Sequence, residues 1–110
     1  MERITLFKLE NPHIKISMEI FFNEKEQLIF DGYDIGKSVE ACWGDSDYEY
    51  NYTIEPEEVR KLYLLFGIPD TDKLSLLLAI KKRFEGNEAY SSFGKFMDEN
   101  SIRYSAFTWS

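Results

Sequence analysis

The stretch Asp45-Ser46-Asp47-Tyr48-Glu49-Tyr50-Asn51-Tyr52-Thr53-Ile54 runs directly into Glu55-Pro56-Glu57-Glu58-Val59-Arg60-Lys61-Leu62 and on to Gly67. Its first half alternates with a period of two, the pattern of a half-buried strand. Tyr48, Tyr50, Tyr52 and Ile54 share one face, and Asp47, Glu49, Asn51 and Thr53 the other. Its second half changes to helical spacing, with Pro56 at a first helical position and acids in the first turn. A strand that hands over to a helix in this way predicts a sheet covered on one face by helices.

Upstream, Arg3–Glu10 reads as a strand, and Asn11-Pro12 as a turn. Ile14, Ile16, Met18, Ile20 and Phe22 alternate with Lys15, Ser17, Glu19 and Phe21, which predicts a second strand. Asn23-Glu24-Lys25 turns the chain into a third, Gln27–Asp31, paired with the second as a hairpin. Gly32, Gly36 and Gly44 punctuate the next section, where Ile35–Trp43 has the spacing of a short helix.

Downstream, three helices follow. Pro56–Phe66 places Val59, Leu62, Leu65 and Phe66 on one side and is closed by Gly67, a left-handed cap position. A second helix, capped by Thr71 or Asp70, runs to about Glu85 with Leu74, Leu77, Leu78 and Phe84 expected inside, and ends at Gly86. A third, capped by Asn87 and closed by Asn100, aligns Tyr90, Phe93, Phe96 and Met97; Gly94 inside it costs up to about 1 kcal/mol relative to Ala. Ile102–Trp109, rich in aromatic and β-branched residues, is expected to return to the sheet as a last strand. The expectation is a single α+β domain spanning 1–110, a mainly antiparallel sheet of about five strands with three helices on one face.

The chain has 110 residues, 44% of them apolar and 16% aromatic, enough for a core rich in Phe and Tyr. The net charge of −7 disfavours nucleic acid and anionic membrane surfaces as partners and favours a basic protein. No apolar run approaches the ~20 residues that span a bilayer. The start, Met1-Glu2-Arg3-Ile4, lacks the basic and apolar regions of a signal peptide, and the single cysteine, Cys42, fits a reducing compartment, so a cytoplasmic protein is expected.

The charge is unevenly placed. Residues 24–58 hold eleven acids and two lysines, a net −9, and the remainder is +2. Glu57 and Glu58 suit the helix dipole and Glu55 a cap. Asp31, Asp34, Glu40, Asp45, Asp47 and Glu49 are left without a local role, and Tyr33 and Trp43 flank them in glycine-punctuated sequence. These eight residues form the candidate partner-binding set, because tyrosine and tryptophan combine an apolar body with a polar tip at interfaces. The alternative is that the acids only solubilise a strand face and its loops. Lys81-Lys82-Arg83, the one basic run, suits the end of its helix.

Catalytic patterns are missing. One histidine, His13, and one cysteine offer neither a triad nor a metal set, and the glycines spell no phosphate loop. No cofactor, metal or catalytic residue is expected, and the chain reads as a non-enzyme. A carboxylate pair among Asp45, Asp47 and Glu49 would be the seed of the competing reading, a small enzyme or ligand-binding domain with a pocket near Trp43. A structural subunit contributing an edge strand to an assembly is a further possibility.

Across Leu28-Ile29-Phe30-Asp31-Gly32-Tyr33-Asp34-Ile35-Gly36-Lys37, and again across Asp45–Tyr50 with its Glu-Pro-Glu-Glu helix start, the chain resembles small bacterial immunity proteins. These neutralise polymorphic or contact-dependent toxins. The resemblance spans roughly Leu28–Gly67. It implies a cytoplasmic, non-enzymatic inhibitor that binds one cognate toxin, often a basic nuclease, and it assigns no binding residues. The chain itself is expected to be a monomer or simple homodimer.

Overall fold

The computed structural model describes residues 3–36 and 46–109, with backbone alone for Ser46 and Asp47. The order is β1 (Ile4–Glu10), β2 (Ile14–Phe22), β3 (Leu28–Gly36), β4 (Ser46–Ile54), α1 (Pro56–Phe66), α2 (Lys73–Phe84), α3 (Ala89–Glu99) and β5 (Ser105–Trp109). All neighbouring strands are antiparallel, in the spatial order β1-β2-β3-β4-β5. The fold is α+β, in the expected order of strands and helices. Ile35 and Gly36 of the proposed short helix lie in β3, and the rest of that helix falls outside the described residues.

Period-two alternation sorts the sheet into two faces. Ile16, Met18, Ile20 and Phe22 of β2, Leu28 and Phe30 of β3, and Tyr50, Tyr52 and Ile54 of β4 are buried on one of them. They form one core with Val59, Leu62 and Tyr63 of α1, Leu76, Leu77, Ile80 and Phe84 of α2, and Ala89, Phe93 and Met97 of α3. The aromatic residues knit the layers. Tyr52 stacks on Tyr90 with centroids 4.1 Å apart, and Phe30 packs on Phe93 at 6.0 Å.

β3 runs five residues beyond its expected end at Asp31, straight through Gly32 to Gly36. The reason is the neighbouring strand. A Cβ on Gly32 would stand 1.9 Å from Cε2 of Tyr50, so the ring occupies the space a side chain would need. Gly94 plays the same part in α3, where a Cβ would meet the Tyr52 hydroxyl at 2.1 Å.

The helices differ from the expected pattern in phase and capping. Leu65 of α1 and Leu74 and Leu78 of α2 are exposed, and Tyr63, Leu76 and Ile80 are buried in their place. Leucine and isoleucine occur almost all round α2, so its sequence admits several apolar stripes, and contact with the sheet selects one. Thr71 has a φ of 74°, and the cap of α2 passes to Asp72, whose carboxylate accepts the Ser75 N–H at 3.3 Å. The N-cap of α3 is Glu88 rather than the expected Asn87, and it makes no side-chain cap bond; the Ala89 N–H donates to the Gly86 carbonyl at 3.1 Å. Gly67 does close α1 in the left-handed conformation, φ 67°.

Glu58 does more than complement a helix dipole. Only 7% exposed, it accepts the Arg103 backbone N–H at 2.7 Å and the Lys61 ammonium at 2.9 Å. Lys61 also donates to the Ser101 carbonyl at 3.0 Å. This ties α1 to the segment that leads into β5. The backbone bond from Arg103, followed by the bond from Lys61, holds the Glu58 carboxyl below the usual glutamate range.

Replacing Gly94 with Ala should lower stability by about 1–3 kcal/mol in urea unfolding, against the ~1 kcal/mol gain that helix propensity alone assigns. Because the folded-state pKa of Glu58 is lowered, its contribution is present above the ordinary value of about 4.3 and is lost as pH falls through the folded value. Glu58→Gln should therefore be less stable than the wild type at neutral pH. It should also lose less stability between about pH 5 and pH 3, as read from denaturant midpoints.

Candidate functional site

No helix of the described residues packs on the other face of the sheet. Odd-numbered residues of β2, β3 and β5, and Glu49, Asn51 and Thr53 of β4, point to it, and residues directly opposite one another on paired strands share a face. Register then builds two adjacent rows. The first is Glu19, Asp31, Asn51 and Phe107; the second is Ser17, Tyr33, Glu49 and Trp109. Asp47 occupies the next register position, opposite Ile35. Three residues expected at the site, Asp31, Tyr33 and Glu49, thus come together on the helix-free face.

Ser17, Glu19, Asp31, Gly32, Tyr33 and Glu49 line a shallow hollow of about 280 Å³. Phe107 and Trp109 stand beside it, 58% and 57% exposed. Arg3 reaches in from the N-terminal end of β1. Its guanidinium donates to Glu19 at 3.1 Å, lies 3.8 Å from Asp31 and covers the Phe21 ring at 3.9 Å. Burial raises the Asp31 carboxyl above its usual range, the Arg3 charge works against that rise, and Glu19 adds to it. Carboxylates and aromatic rings side by side already hold one guanidinium here, through ion pairing and ring contact together.

Among the described residues no three His, Cys, Asp or Glu side chains are grouped to hold a metal ion. No helix among the described residues is long and apolar enough to cross a membrane.

The remaining candidates separate. Asp34 lies on the opposite face, where its carboxylate accepts the Tyr50 hydroxyl at 2.7 Å; period two sends it there, and its role is to satisfy a tyrosine. That bond and burial raise the Tyr50 hydroxyl above its usual range, burial most. Glu40, Trp43 and Asp45 lie outside the described residues, as does the Trp43 pocket of the competing reading. Other acids of the 24–58 segment are engaged elsewhere. Glu26 pairs with Lys73, Glu55 accepts from Gln27 at 2.8 Å, and Glu58 is buried behind Lys61.

Sequence reasoning missed Glu19, Arg3, Phe107 and Trp109 as members of this surface. Their alternation was visible, yet strand order was not, and only strand order brings β2 and β5 to flank Asp31 and Glu49. Comparison of the chain with protein-family models, curated proteins and solved structures finds no match.

Arg3→Gln should raise the Asp31 pKa further, since it removes the one charge that lowers it. A carboxyl-detected NMR titration of the variant against the wild type measures the change, and an unchanged or lowered Asp31 value would contradict the geometry.

Proposed function

We propose that this chain is a non-enzymatic binding protein of the immunity type, which neutralises a cognate basic toxin in the cytoplasm. The helix-free face is the contact surface. One observation carries the reading: two neighbouring cross-strand rows set Glu19, Asp31 and Glu49 beside Tyr33, Phe107 and Trp109 on a face that no helix of the described residues covers. Negative potential over the carboxylates steers a cationic partner and speeds encounter. The exposed aromatic rings then supply contact area, where interfaces concentrate their binding energy. Arg3 illustrates the local chemistry, one guanidinium shared between two carboxylates and a ring. The resemblance of Leu28–Gly67 to immunity proteins points to the same class of partner.

The test is association with the basic protein encoded beside this chain's gene, followed by stopped-flow mixing at low and high salt. Asp31→Lys with Glu49→Lys should slow association by about tenfold or more at low salt and flatten its salt dependence. Trp109→Ala should mainly accelerate dissociation, with a loss of about 2 kcal/mol. An unchanged association rate in the double variant would place the binding surface elsewhere.

A further inference from the structure

β5 is an outer strand of the sheet, hydrogen-bonded to β4 along one side only. Its sequence, Ser105-Ala106-Phe107-Thr108-Trp109, contains no charge, no proline and no glycine, and all five residues are exposed. Among the described residues, no hydrogen bond outside the β4 ladder reaches 105–109. Exposed edges are ordinarily blunted by charges, bulges or a covering segment, because their free N–H and C=O groups template further pairing.

The opposite edge, β1, has all three devices. The ladder with β2 is interrupted by a bulge at Leu6, between Thr5 and Phe7. The Leu6 carbonyl accepts the Gly86 N–H at 3.1 Å, so a loop covers that point. Lys8 and Glu10 put charges along the strand, and Arg3 precedes it. Among the described residues, one edge is protected and the other is open.

We infer that β5 is a self-association edge, which pairs antiparallel with β5 of a second copy of this chain. A two-fold axis through Phe107 sets Phe107 against its own counterpart, Ala106 against Thr108 and Ser105 against Trp109. Only this centre uses all five residues. The axis stands perpendicular to the sheet, so two five-stranded sheets join into one of ten strands with both helix-free faces on the same side.

Charge favours a second copy at this edge. A chain of net charge −7 repels its own kind over much of its surface, and the five residues of β5 contribute nothing to that repulsion. The nearest acidic strand on each side of the junction is β4. Three strand spacings of ~4.8 Å separate the two β4 strands by ~14 Å, beyond the ~8 Å screening length at physiological ionic strength. Pairing of β5 with β1 of another copy, which would propagate into a fibre, is opposed by the bulge and charges of β1. The assembly therefore closes as a dimer.

Sedimentation equilibrium on the purified chain tests this without any partner. The wild type should show a concentration-dependent mass that approaches twice that of the chain and responds weakly to salt. Phe107→Lys, which sets a like charge directly against its counterpart, and Ala106→Lys, which puts one at the edge opposite Thr108 of the second copy and diagonal to its own counterpart, should each raise the dimer dissociation constant at least about tenfold with unchanged far-UV circular dichroism. In a Cys42→Ser background, Phe107→Cys should cross-link efficiently with a short bis-maleimide. Ser105→Cys should not, since its counterparts lie about 14 Å apart in this register. A wild type that stays monomeric at every concentration overturns the proposal, including the case in which β5 pairs only with a strand of a different protein. So does a dimer indifferent to both lysine variants.

Discussion

The contact between Tyr52 and Tyr90 holds the two layers in register. The rings lie within 6° of parallel, and each hydroxyl is tied to the other layer: Tyr52 donates to the Tyr90 carbonyl at 3.0 Å and Tyr90 to the Asn51 carbonyl at 3.2 Å. Two tyrosines can therefore sit in the core without an unsatisfied polar group, and no buried side-chain nitrogen or oxygen lacks a partner among the described residues. Burial raises the Tyr52 hydroxyl above its ordinary pKa, so it remains a donor. Gly94 lets α3 approach closely enough for the arrangement to close, and a methyl group there would collide with the Tyr52 hydroxyl. The residue that lowers helix propensity is the one the packing requires.

Once α3 is seated on β4, the other described helices share the same face, and none of them covers the other face of the sheet. A strand with period two then serves two purposes. Tyr50, Tyr52 and Ile54 build the core, and Glu49, Asn51 and Thr53 meet the surroundings. Acidic residues on that outer face are cheap to keep in water and strongly felt by an approaching cation. Arg3 tempers them, since it lowers the local charge and opposes the rise of the Asp31 pKa. The polar contacts of Asp34 and Glu58 belong instead to the frame: one anchors Tyr50, the other brings the chain from α3 back toward β4.

Much of the fold was legible because it rests on local rules. Alternation marks β2 and β4 almost to the residue, Pro56 and Gly67 bound α1, and the order of strands and helices follows. Two kinds of reading failed for a physical reason. Gly32 looks like a strand end, yet the Tyr50 ring across the ladder makes glycine the residue that fits inside β3. Leu74 and Leu78 look like core, yet a helix apolar on several sides takes its phase from the surface it lands on, here through Leu76, Leu77, Ile80 and Phe84.

From the sequence alone come the α+β class, the concentration of acids in residues 24–58 and the two-faced character of β4, because each depends on composition or on neighbours along the chain. Which acids share a surface was decided only by tertiary structure. Asp31, Tyr33 and Glu49 meet Glu19, Phe107 and Trp109 because antiparallel pairing places distant strands side by side, while Asp34, one residue from Tyr33, is turned to the other face. Cross-strand register converts a charge count into a particular surface, and register is set by the packing of side chains far apart in the chain.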